Sequence, residues 1–168
     1  MPEALQSILP QFFPEGVLSC SRYGCGHINE TYLVTARNGK RYILQKVSTL
    51  AFPDVKGLQE NITAVTAHLR GKNPDPRRTL HLVPTVTGES WYALGPDSNW
   101  RVFDYIEDSI CLEAPRCPED FYESALAFGG FQQALSDFPA ETLHETIRDF
   151  HNTPARFRQL KEAVARDP

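Results

Sequence analysis

The sequence predicts an α+β fold in which an antiparallel sheet with helices is followed by helices alone. Three observations predict it. Between Val17 and Ile106 the chain is mostly short runs of β-formers, interrupted by one helical stripe. Tight-turn signals, above all Asn38-Gly39, join neighbouring runs. After Glu107 no strand pattern returns, and Phe121, Ala125, Phe128 and Leu135 fall on one helical face. The change of character near residue 108 divides the 168 residues into a β-rich part, 1–108, and a helical part, 109–168.

The elements run in order. Leu5, Ile8, Leu9 and Phe12 are spaced as one face of a short helix over residues 3–13, ended by Pro14 and Gly16. Residues 17–22 form a strand that runs into the turn "YGCGHIN". Residues 31–36 alternate as a second strand, and "RYILQKV", 41–47, returns from Asn38-Gly39 as a third. The next segment reads as a helix from Pro53 to Gly71, with Val55, Leu58, Ile62, Val65 and Leu69 in one stripe. Residues 72–78 are a Pro-rich loop. Strand candidates come next at 82–86, 90–94 and 100–106. Residues 118–135 and 154–166 are helical, the first containing Gly129-Gly130, which suggests close packing, and the second opened by Thr153 and Pro154.

Composition narrows the function classes. Hydrophobic residues make up 41% and charged residues 23%, as in an ordinary globular chain. A net charge of -4 without a clustered basic face excludes nucleic acid as the expected partner. No apolar run approaches the roughly 18 residues of a membrane helix, so no membrane partner is expected. The start "MPEALQSILPQFF" has no cationic stretch and is not a secretory signal, which points to the cytoplasm. Cys20, Cys25, Cys111 and Cys117 are not spaced as a zinc knuckle and read as free thiols. His68, His81 and His144 show no partner pattern and read as surface residues.

The turn Tyr23–Asn29 carries the functional reading. Two glycines between antiparallel strands can lay backbone N–H groups over phosphate oxygens, where a larger side chain would hold the backbone away. Taken alone, two glycines favour a bulged hairpin. The downstream order of elements matters more: a strand with Gln45-Lys46, a helix, further strands, then helices only. That is the order of a protein-kinase-like small lobe followed by the first helices of a large α lobe. The segments "GHINETYLVT", "RYILQKV", "WRVFDYIED", "FYESALAFGGFQQALSDFP" and "ETIRDFHNTPARFRQLKEA" together resemble the aminoglycoside phosphotransferase and choline kinase superfamily, and within it the N-acetylhexosamine 1-kinase group. The resemblance runs from about Val17 to the end of the sequence.

The resemblance implies an ATP-dependent small-molecule kinase with Mg2+ as its metal and a sugar acceptor. It implies that Gly24, Gly26, His27, Ile28 and Asn29 form the phosphate-covering turn. Gln45 or Lys46 would reach the nucleotide phosphates, since the two point to opposite faces of one strand. Glu60 would be the helix carboxylate that orients such a cation, against a plain reading as an exposed helix glutamate. Asp104, Tyr105, Ile106 and Glu107 would form the hinge, acting through backbone atoms. The family's His-x-Asp catalytic loop and its metal-binding acidic segment do not occur in these 168 residues. The expectation is therefore a piece of a kinase that is inactive alone, with a non-catalytic nucleotide-binding module as the alternative. Apolar stripes on the last two helices suggest self-association.

Overall fold

Leu5, Ile8, Leu9 and Phe12 lie one above another on a helix, and in the computed structural model, which describes residues 3–166, all four are buried. Helix α1, Glu3–Phe12, lays this stripe on a sheet of six antiparallel strands. The strands are β1 Val17–Arg22, β2 Glu30–Ala36, β3 Arg41–Val47, β4 Leu82–Val83, β5 Tyr92–Gly95 and β6 Ser98–Asp104. Their order is β1-β2-β3-β6-β4, with β5 also pairing β6. The pleat sends alternate residues to opposite faces. Tyr32, Val34 and Ala36 of β2, Leu44 of β3, and Trp100 and Val102 of β6 all face α1 and complete its core. The residues between them, Thr31, Gln45 and Arg101 among them, therefore face the other way.

The turns explain the register. At Asn38-Gly39, Gly39 takes φ +83°, and the Ala36 N–H donates to the Lys40 carbonyl at 2.9 Å. That closure aligns Thr35 with Arg41 and, farther along, Thr31 with Gln45. β3 then pairs with β6, placing Gln45 opposite Arg101. β4 and β5 are shorter than the sequence suggests, because Pro84 cannot donate to a ladder and the 85–89 segment closes on itself through Thr85 N–H to the Glu89 carbonyl at 2.8 Å.

Helix α2 spans Val55–Lys72. Its N-cap is Asp54, whose carboxylate accepts from Gly57 N–H at 2.8 Å, so Pro53 lies outside the helix instead of in its first turn. The helix also runs past Gly71 to a cap at Asn73. Its buried stripe contains Val55, Gln59 and Leu69. The expected Leu58 is only partly buried, and the polar Gln59 takes the innermost place.

Helices α3, Pro118–Ala134, and α4, Thr153–Arg166, complete the chain. α3 buries none of its residues, and α4 buries only Ala155. A Cβ at Gly129 or Gly130 would meet nothing within 4 Å, so the expected close packing at these glycines is absent. The cap of α4 is Asn152, which accepts from Ala155 N–H at 3.1 Å, one residue before the Thr153 suggested by sequence. Polar contacts tie the helical part to α2. The Asn61 amide donates to the His144 carbonyl and accepts from its N–H, each at 2.9 Å. Lys72 Nζ donates to the Ala134 carbonyl at 2.7 Å and pairs with Asp137, which also meets His68 Nε2 at 3.1 Å. His68 and His144 are thus tethering residues, not solitary surface histidines. No helix of the described residues is long and apolar enough to cross a membrane, and the four cysteines are unbridged.

Candidate functional site

The turn between β1 and β2 is open. Gly24 takes φ +74°, a conformation costly for any side chain, while Gly26 has no such φ. A Cβ at either would meet nothing within 4 Å, so neither glycine is crowded, while the Cys25 thiol between them lies against the Glu113 carboxylate. His27 is exposed, and Ile28 is 62% exposed. Asn29 acts locally. Its side-chain oxygen accepts from Ser48 N–H at 3.0 Å and ties the turn to the end of β3.

Tyr23 opens the turn and meets the hinge. Its N–H donates to the Thr31 carbonyl at 3.0 Å. Its ring packs edge-on against Tyr105 at 6.0 Å, with the two hydroxyls 3.3 Å apart. Tyr105 N–H donates to the Arg41 carbonyl at 3.2 Å, and the Arg41 guanidinium lies 4.3 Å from the Tyr105 ring centroid. Arg41 also holds Glu107, with its Nε donating at 3.1 Å, which keeps the Glu107 carboxyl below the ordinary carboxylate range. The Ile106 carbonyl accepts from Ser109 at 2.6 Å. Asp104 lies 2.8 Å from Lys40 Nζ and 2.7 Å from His81 Nδ1. Burial pushes its carboxyl up, but the Lys40 and His81 contacts outweigh this and hold it below its usual range. Residues 104–107 are therefore fixed by side chains at both ends.

The structure separates the neighbours Gln45 and Lys46. Lys46 lies on the α1 side, 3.6 Å from the Glu30 carboxylate, and with Ile28 and Asp97 lines a small pocket of about 220 Å³. Gln45 lies on the opposite face between Thr31 and Arg101. Its amide oxygen accepts from Arg101 Nε at 3.2 Å and from Nη2 at 3.1 Å, while Nε2 donates to Thr31 Oγ1 at 3.2 Å.

Glu60 meets neither side chain. It pairs with His144 Nε2 at 2.7 Å and with Lys56 at 3.7 Å, pointing away from the stripe that α2 buries. The expected carboxylate–cation pair from helix to third strand is not formed by Glu60. Gln59, one residue earlier, is 1% exposed and has no hydrogen-bond partner for either amide atom.

Sequence reasoning assigned no role to Arg101. It is 8% exposed, and burial pulls its pKa down to about 10, which still leaves it protonated at neutral pH. Its signal was visible in "WRVF", a charge between residues of a central strand that should be apolar on at least one face.

No known family profile matches the sequence. Solved structures do match the fold. An aminoglycoside phosphotransferase from Alicyclobacillus acidocaldarius superposes with a TM-score of 0.64 at 17% identity, over 99% of this chain and 46% of that one. An amicoumacin kinase, solved in complex with AMP-PNP, Ca2+ and Ami, superposes with a TM-score of 0.56 at 16% identity, over 80% of this chain and 40% of that one. The fold is kinase-like. The chain spans less than half the length of these two structures.

Proposed function

We propose that this chain binds ATP and forms the nucleotide-facing part of a small-molecule kinase. The observation that carries the reading is the convergence of the open Gly24–Gly26 turn, the Gln45–Arg101 row and the hinge on one side of the sheet, joined by the Tyr23–Tyr105 contact. The nucleotide analogue named with the amicoumacin kinase supports it. Backbone N–H groups of residues 24–28 cover the phosphates. Hinge backbone of residues 104–107 borders the adenine. Gln45 reaches the phosphates from below, and Asn29 keeps the turn anchored while they bind.

The reaction is phosphoryl transfer to a hydroxyl. The acceptor oxygen bonds to the γ-phosphorus, the bond from that phosphorus to the β–γ bridging oxygen breaks, ADP leaves, and the hydroxyl proton passes to a base. A divalent cation neutralises the phosphate charge during such transfers. Among the described residues no three His, Cys, Asp or Glu side chains gather as a metal site, so no residue here is assigned to Mg2+. The overall resemblance to the N-acetylhexosamine 1-kinase group is the ground for taking an N-acetylhexosamine as acceptor, phosphorylated at its anomeric hydroxyl. The apolar residues left exposed on α3 and α4, Phe128 at 70% and Val164 at 67% among them, favour association of these helices with further protein, a second copy included.

Thermal unfolding with MgATP tests the reading. Ligand that binds only the folded state raises the melting temperature, by about 2.7 kcal/mol of added stability at a hundredfold excess over Kd. An unchanged melting temperature at millimolar MgATP would sink it.

A further inference from the structure

Arg101 is a buried cation with no carboxylate on it. Among the described residues its guanidinium forms no ion pair, and its hydrogen bonds go to the Gln45 amide oxygen alone. Its Nη1 is buried without a hydrogen-bond partner. Buried charges are ordinarily paired, because an uncompensated one is costly to desolvate. A site that receives a multiply charged anion removes that cost only when it is occupied.

The Gln45 amide has a determined direction. A guanidinium only donates, so the amide oxygen must face Arg101 and the NH2 group must face away from it. Away from Arg101 lies β2, where one amide hydrogen reaches Thr31 Oγ1 at 3.2 Å. Thr31 is joined through its carbonyl to Tyr23, the first residue of the glycine turn. Among the described residues Nε2 donates only to Thr31 Oγ1, which leaves its second hydrogen for a ligand. A lysine one residue later could not do this. Lys46 is on the other face, engaged with Glu30.

We propose that Gln45 and Arg101 together form the phosphate-contacting unit of this site, Gln45 donating its amide N–H to a nucleotide phosphate and Arg101, a positioning residue on the adjacent strand, holding that amide and supplying the positive charge. This rests on the nucleotide reading above. The division of labour exchanges the usual parts: the neutral side chain makes the contact, and the cation stands behind it. The charge acts through a short, water-poor distance, where it is screened far less than at the surface.

Titration calorimetry with MgATP and, separately, with adenosine tests the proposal. Arg101→Met is expected to weaken MgATP at least tenfold and leave adenosine within twofold, because adenosine carries no phosphate. Arg101→Lys, which keeps the charge but loses the fork, should fall between. Gln45→Lys in the Arg101→Met background should restore MgATP binding, since it returns a cation to the same row. A purely structural Arg101 would not be rescued in this way. Circular dichroism reports which variants fold; if Arg101→Met does not, Arg101→Lys and Gln45→Glu carry the test, and Gln45→Glu should lose at least tenfold for MgATP alone. Equal losses for MgATP and adenosine, or a loss on Lys46→Ala with none on the Arg101 or Gln45 variants, would overturn the proposal and leave the nucleotide site standing. Failure of the unaltered chain to bind either ligand would overturn both.

Discussion

At Gly26 an added methyl group would meet no atom within 4 Å, and the backbone is not in the left-handed region. Folding should therefore tolerate Gly26→Ala within about 0.5 kcal/mol, as at an ordinary surface position. A phosphate laid against the turn would not tolerate it. We expect an unchanged melting temperature and MgATP affinity lowered about tenfold; equal affinity would place the phosphates elsewhere. Asp104 makes a prediction in pH. Its carboxyl is held below the ordinary value of 3.8 by Lys40 and His81 against the opposing pull of burial. A depressed carboxylate contributes stability that is present above its unfolded pKa and lost as pH falls through its folded pKa. Asp104→Asn should flatten the stability profile below about pH 4 and leave its shape at neutral pH unchanged, read by urea midpoints across that range. Residues such as Asp104 and Arg101 show where sequence reading stops. The charge in "WRVF" is legible as an anomaly, but its partner Gln45 is 56 positions away, and only the β3–β6 pairing brings them together.

Among the elements, α1 was the most legible. Its four apolar residues repeat at helical spacing, and the same four are buried. Ile8 is 0% exposed at the centre of that stripe, so Ile8→Ala should cost about 2–5 kcal/mol in chemical denaturation. A loss under 1 kcal/mol would mean that α1 does not hold the sheet. The three-strand meander was equally readable, because Asn38-Gly39 fixes both the turn and the register. α2 was legible as a helix but not in its rotation. Leu58 and Gln59 are neighbours, and hydrophobicity favours the first, yet packing buries the second. That rotation carries Glu60 outward to His144, which no periodicity in the sequence foreshadows. α3 and α4 were found from spacing alone, though their apolar faces remain exposed to solvent.

At the scale of the molecule, two parts of different character are stitched at few points. The β-rich part has its own buried core under α1, while the helical part contributes Ala155 to the buried set. The side chain of Asn61 bonds both the carbonyl and the N–H of His144, as a neighbouring strand would. In the sequence a change of periodicity near residue 108 was visible. The stitches were not, because single polar side chains leave no periodic trace.

The order β1-β2-β3-β6 also sets a sequence of events in time. β2 and β3 meet across residues 37–40, whereas β3 and β6 must close residues 48–97. Each doubling of a loop costs about 0.6 kcal/mol of closure entropy, so the second pairing begins about 2 kcal/mol behind the first. The hairpin can form early, and β6 arrives on a template already made. We expect Gln45 and Arg101 to meet late, after the transition state for folding. Substitutions that break their contact should hasten unfolding and leave the refolding rate nearly unchanged, a pattern that the two arms of a denaturant-dependence plot report directly.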